Sequence, residues 1–136
     1  MIKTDTQRER TLTQIDGFRR ALAQAAAETS AKRSAAIRGS YEGMIHHLED
    51  EVREYDRLKA GKFRLPTLER LDQIAPFIVK LRIARGVSQT ELASRLGVSK
   101  QVVSRSEEDD YQGVSLSRLQ EILDALQVRT KISLTA

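Results

Sequence analysis

The chain contains no cysteine and no tryptophan, and only 4% of its residues are aromatic. The lack of cysteine rules out disulfides, thiolate metal sites and a thiol nucleophile. So few rings cannot make a platform for stacking successive bases, which argues against readers of single-stranded nucleic acid. No apolar run approaches the roughly 20 residues of a membrane span, and the N-terminal residues are polar. A soluble, cytoplasmic protein with no membrane role is therefore expected. There is no glycine-rich phosphate loop and no spacing that suggests a Ser-His-Asp group. Neither enzymatic activity nor a cofactor is expected.

What the chain does have is charge, unevenly placed. Its 136 residues carry a net charge of +4. Between positions 80 and 105 lie Lys80, Arg82, Arg85, Arg95, Lys100 and Arg105 against the single acid Glu91, a local excess of +5. A positive patch confined to one short segment suits phosphate binding. A solvated helix surface would also explain it, so the patch alone decides nothing.

Periodicity divides the chain into three parts. Over residues 4–27, Leu12, Ile15, Phe18, Leu22 and Ala25 step by three or four, the mark of an amphipathic helix. Residues 28–34 lose the pattern and are expected to form a loop. From about Ala35 to Lys59, Tyr41, Ile45, Leu48, Val52 and Tyr55 make a heptad seam. Glu49 and Arg53 are spaced for an i,i+4 pair, while Gly39 and Gly43 weaken the first turns by up to ~1 kcal/mol each. Gly61 is a natural stop. Residues 1–60 are thus expected to be a helical hairpin, with a coiled-coil-like seam, that dimerises, binds a partner protein or folds back on the rest of the chain. Residues 61–73 read as a linker with a short helix.

Residues 74–136 hold the informative segment. Pro76 suits a first helical turn, and Phe77, Ile78, Leu81 and Ala84 line one side up to Gly86. Ser88 and Glu91 have the spacing of a capping box. A short helix from Gln89 to Leu96 follows, with Leu92, Ala93 and Leu96 inward, then a tight turn at Gly97 and Val98. Ser99 caps a third helix. Val102 and Val103 are expected to face the core, leaving Lys100, Gln101, Ser104 and Arg105 on or near the opposite surface. Residues at a helix N-terminus reach base edges when such a helix enters the major groove. Gln can pair with adenine, and Lys or Arg with guanine.

The pattern Arg82-x-x-Arg85-Gly86-x-Ser88-Gln89-x-Glu91-Leu92-Ala93-x-x-Leu96-Gly97-Val98-Ser99 resembles the phage-repressor (Cro/C1, or XRE) helix-turn-helix family, over roughly residues 74–128. The resemblance implies an all-α, lambda-repressor-like bundle of four or five helices that binds double-stranded operator DNA as a homodimer. It implies a phosphate contact for Gln89, base contacts for Lys100, Gln101 and Arg105, and a base or phosphate contact for Ser104. With Ser99 at the start of the helix, these complete the expected DNA-binding set. It also implies a structural ion pair between Arg82 and Glu107.

Two departures from the family pattern stand out. Ser106 occupies a position usually held by a bulky apolar residue. The run Glu107-Glu108-Asp109-Asp110 places acids near a loop that, in the family, approaches the DNA backbone, where they would weaken binding. Beyond it, Ser115 can cap a fourth helix, with Leu116, Leu119, Ile122, Leu123 and Leu126 buried. Residues 128–134 alternate apolar and polar, which predicts a short C-terminal β-strand paired with a second subunit. Tyr111 is expected to anchor the acidic loop. His46 and His47 point about 100° apart on a helix, so no metal site is expected there.

Three functions remain open on sequence grounds. The first is a dimeric transcriptional repressor on a palindromic operator. The second is an antitoxin, similar to HigA-like ones, whose hairpin binds a toxin while the motif regulates its own operon. The third is a dimeric scaffold that has lost DNA binding.

Overall fold

In the computed structural model, which describes residues 1–28 and 30–136 (Glu28 by its backbone alone), the described residues form six α-helices and two single 3-10 turns. The helices are α1 (Asp5–Glu28), α2 (Ala31–Lys59), α3 (Ile78–Ala84), α4 (Gln89–Leu96), α5 (Lys100–Glu108) and α6 (Leu116–Ala125), with the 3-10 turns at Leu71–Gln73 and Ala75–Phe77. No strand occurs among the described residues. The chain divides into two compact units, Met1–Arg57 and Leu58–Ala136.

The first unit is an antiparallel helix pair. Paired residue numbers run in opposite directions along α1 and α2. Tyr55 Oη donates to Asp5 Oδ1 at 2.8 Å, Arg8 grips both oxygens of Asp56, Arg19 pairs with Glu49, and the Phe18 and Tyr41 rings lie 5.8 Å apart. Ile15, Ile45 and Tyr55 are buried between these polar clamps, and Leu12, Leu48 and Val52 are half-buried. Two local expectations fail. The loop expected over 28–34 partly falls on Thr29, outside the described residues, but Glu28 still belongs to α1 and from Ala31 onward the chain is helical again. Ala, Lys and Arg at positions 31–33 are good helix formers, and the seam simply begins later than the helix. Glu49 does not pair with Arg53 either. Arg19 on α1 takes Glu49, and Arg53 turns back to Asp50 at 2.7 Å.

In the second unit α4 packs on both α5 and α6, and α3 packs on the 3-10 turn that precedes it. Ile78, Val79, Leu81, Arg82 and Ile83 are all buried, so this short helix is covered nearly all round. Also buried in this unit are Ala75, Leu92, Ala93, Val103, Tyr111, Leu119, Ile122, Leu123 and Leu126. Ahead of α3, the Phe63 and Phe77 rings sit 6.3 Å apart and pin the irregular segment that precedes the 3-10 turns. Leu116 is exposed although the pattern expected it inside. It is the first residue of α6, and the buried face begins one turn later.

The expected C-terminal strand is absent. Residues 128–136 have no regular structure, and Ile132 and Leu134 are exposed. A strand needs a neighbour to accept and donate its ladder hydrogen bonds, and within this chain none is offered. The alternating pattern by itself therefore makes no strand.

Candidate nucleic-acid interface

Two left-handed glycines set the corners of the motif. Gly86, at φ 69°, ends α3, with Val87 N–H returning to Arg82 O at 3.2 Å. Gly97, at φ 68°, ends α4, with Val98 N–H returning to Ala93 O at 3.0 Å. Both are the glycine-terminated helix ends that satisfy otherwise orphaned carbonyls. Serines start the next helices. Ser88 Oγ accepts from Glu91 N–H, Ser99 Oγ from Val102 N–H, and Ser115 Oγ from Arg118 N–H. The capping box at Ser88 is one-sided: the Glu91 carboxylate pairs with Arg95 at 2.7 Å, one turn along α4.

The last turn of α5 is bolted to the core by a buried polar network. Glu107 is wholly buried, and its carboxylate receives both Nε and Nη2 of Arg82, the second at 2.9 Å. Gln89 Nε2 donates to the same group at 2.8 Å, and Tyr111 Oη completes it at 3.5 Å. Arg82 Nη1 donates onward to Val87 O at 2.8 Å, so the α3–α4 corner is held as well. Four donors on one carboxylate saturate its accepting capacity, and among the described residues no buried side-chain polar atom is left without a partner. Removing one member of such a buried pair generally costs about 3–5 kcal/mol, because a charge is stranded in the interior. Burial also pushes the Tyr111 phenol well above its ordinary value, with the Glu107 charge acting in the same direction.

The structure corrects two sequence expectations. Gln89, expected at a phosphate, is only 6% exposed, and its amide is spent on Glu107. The first residue of α4 points inward because Glu107 draws it there. Val102, expected beneath the helix, is 47% exposed, and only Val103 is buried. Adjacent helical residues lie about 100° apart, and a nine-residue helix crossing the core turns just one of the two inward.

The remaining expected residues lie on the outside of α5. Lys100, Gln101 and Arg105 are exposed, Ser104 is half-buried, and Ser99 is exposed at the cap. Among the described residues, no side-chain hydrogen bond or ion pair engages Lys100, Gln101 or Arg105. Other cations of the basic segment are occupied. Arg82 is buried, Arg85 Nη2 donates to Gln127 O at 3.0 Å, and Arg95 Nη1 donates to Ala125 O at 2.6 Å, which caps the end of α6. The local excess of +5 thus overstates what is available to a phosphate, and the free charge concentrates on α5.

The charges of α5 run against its own dipole. Its first turn contains Lys100 and no acid, and its last turn contains Glu107 and Glu108 beside Arg105. Acids favour helix N-termini and bases C-termini by about 0.3–1 kcal/mol each. Helix α4 obeys that rule, with Glu91 early and Arg95 late. A lysine opening α5 is not what helix stability asks for. Sequences depart from such local rules chiefly at functional sites.

The acidic loop lies at the other end of the same helix. Asp110 and Tyr111 take left-handed conformations at φ 50° and 57°, which turns Tyr111 into the core while Glu108, Asp109 and Asp110 stay exposed. At 1.5 Å per residue these acids begin about 12 Å down the axis from Lys100. Ser106, the other departure, satisfies itself by donating to Val102 O at 2.9 Å.

Outside this site, His46 and His47 approach different carboxylates, Asp50 at 3.8 Å and Glu51 at 4.0 Å. Among the described residues no three His, Cys, Asp or Glu gather around one point, and no helix is long and apolar enough to cross a membrane.

No curated protein and no solved structure matches the chain. A family model of the helix-turn-helix does match, over residues 78–132, from the first residue of α3 to the tail beyond α6. That span contains both glycine corners, the three serine caps and the exposed face of α5. Residues 78–132 are thus similar to a helix-turn-helix domain, of the kind found in Cro/C1-type transcription regulators.

Proposed function

We propose that this chain is a sequence-specific regulator of transcription that represses as a dimer on a palindromic operator, with α5 as its recognition helix. The observation that carries this reading is the outer side of α5. Lys100, Gln101 and Arg105 stand exposed and unengaged on a helix whose far end is fixed by the buried Glu107 network. Lys100 and Arg105 have the chemistry to read guanine, and Gln101 to read adenine. Ser104 and Ser99 flank them within reach of base or phosphate.

The length of α5 supports dimerisation. Helix α5 has nine residues, about 13 Å of rod, which spans about four base pairs at 3.4 Å each. One copy reads too little to specify a site, whereas two copies place recognition helices in successive major grooves about 34 Å apart. Selection of bound sequences from random duplex, with the mass of the complex measured in parallel, tests this. The expected result is one enriched, two-fold symmetric motif bound by two chains. Enrichment of no sequence contradicts the reading.

A second reading rests on the separate helical unit Met1–Arg57, which contributes no residue to the helix-turn-helix span. In it the hairpin binds a protein partner such as a toxin, and DNA binding serves autoregulation. A stable complex between the full chain and the product of a neighbouring gene, abolished by charge reversals at exposed hairpin positions, would favour it. Absence of any such complex would leave the simple repressor.

A further inference from the structure

The exposed Val102 has no structural reason to be valine. It contributes little to the core at 47% exposure, and a β-branched residue in a helix is less favourable than alanine. Its surroundings make it an isolated apolar knob. The neighbours one turn away on either side, Ser99 and Ser106, turn their hydroxyls onto Val102's own backbone. Ser99 Oγ accepts its N–H at 3.4 Å, and Ser106 Oγ donates to its carbonyl at 2.9 Å. Lys100 and Arg105 are exposed on the same short helix. What α5 presents is a stiff isopropyl group set among cations, near the end of the helix that enters the groove.

In the major groove, the C5-methyl of thymine is the one apolar group on a base edge. We propose that Val102 packs on a thymine methyl and is a specificity-determining residue for an A·T pair in the operator. This rests on the DNA-binding reading of α5. It adds a contact that hydrogen-bonding residues cannot make, because Lys100, Gln101 and Arg105 all read polar atoms.

The test uses the full chain and the duplex enriched by selection. Each thymine is replaced in turn by deoxyuridine, which removes only the methyl. At one position per half-site the wild-type chain loses roughly four- to tenfold in affinity, the scale of one buried methyl contact. Val102→Ala, an exposed substitution that favours the helix, binds the thymine and uracil duplexes equally at that position and keeps its sensitivity elsewhere. If the wild type tolerates every uracil, or Val102→Ala retains the same discrimination, the proposal is overturned while the DNA-binding reading stands. If Val102→Ala instead changes the oligomer mass and not the uracil response, a neighbouring protein chain covers the valine and the proposal is overturned. Failure of the wild type to enrich any duplex sinks the reading and the proposal together.

Discussion

Gln89 Nε2 donates to Glu107 Oε2 at 2.8 Å, with both side chains buried. One residue opens α4 and the other lies next to the end of α5, so this hydrogen bond ties together the two helices that define the motif, which also pack directly on each other. Gln89 shapes the interface from inside.

That placement separates two roles by experiment. Gln89→Ala leaves Glu107 one donor short and should lower unfolding stability by about 1–3 kcal/mol. The slope of log affinity against log salt should stay unchanged, since no phosphate contact is lost. A slope reduced by about one would return Gln89 to the DNA backbone.

The pair beneath it is costlier to break. Arg82→Ala or Glu107→Ala should each destabilise by about 3–5 kcal/mol, because each leaves its partner's charge buried and alone. Joint replacement by Met and Leu should recover much of the loss. Hydrogen exchange of amides in residues 78–132 follows this within the domain. A loss under about 1 kcal/mol for either single change would mean that the network does not hold the recognition helix.

Stability and binding should part company at Lys100. Lys100→Glu puts an acid in the first turn of α5, where the helix dipole favours it, and should stabilise the domain by about 0.3–1 kcal/mol or leave it unchanged. The same change should abolish duplex binding, because a cation facing phosphate or guanine becomes an anion. Thermal melts beside affinity measurements check both halves. Retained binding would remove Lys100 from the interface.

Tyr111 makes the fold sensitive to alkali. Burial raises its phenol above the ordinary value near 10 in the folded state. Its stabilising contribution is therefore whole below pH 10 and falls as pH rises beyond it, when only the unfolded chain loses the proton. The stability of the wild type relative to Tyr111→Phe should decline above pH 10, by up to about 1.4 kcal/mol per pH unit. Parallel curves for the two proteins across that range would contradict the assignment.

Much of the helix-turn-helix was legible in the sequence because its signals are local. Gly86 and Gly97 mark left-handed helix ends, Ser88, Ser99 and Ser115 mark starts, and the Leu119–Leu126 spacing marks a buried face. What stayed hidden depends on partners far along the chain. Gln89 looks like any polar residue at a helix start until Glu107, 18 residues later, takes its amide. The adjacent valines of α5 cannot be told apart by periodicity over so short a helix, and the packing alone turns Val103 in and Val102 out. Arg85 and Arg95 count toward a basic patch in the sequence, yet fold onto carbonyls at and just beyond the end of α6. The tail alternates like a strand but finds no edge within its own chain.

The central claim is that the exposed side of α5 reads base sequence. Its most direct test is the affinity of the wild type, Gln101→Ala and Arg105→Ala for the selected duplex and for a scrambled one of equal length, at one fixed salt concentration. The account predicts a loss of about 1–3 kcal/mol for each variant on the selected duplex. On the scrambled one, Gln101→Ala should be nearly neutral and Arg105→Ala should show only the modest effect of a lost charge. Equal affinities of all three proteins for both duplexes would contradict it.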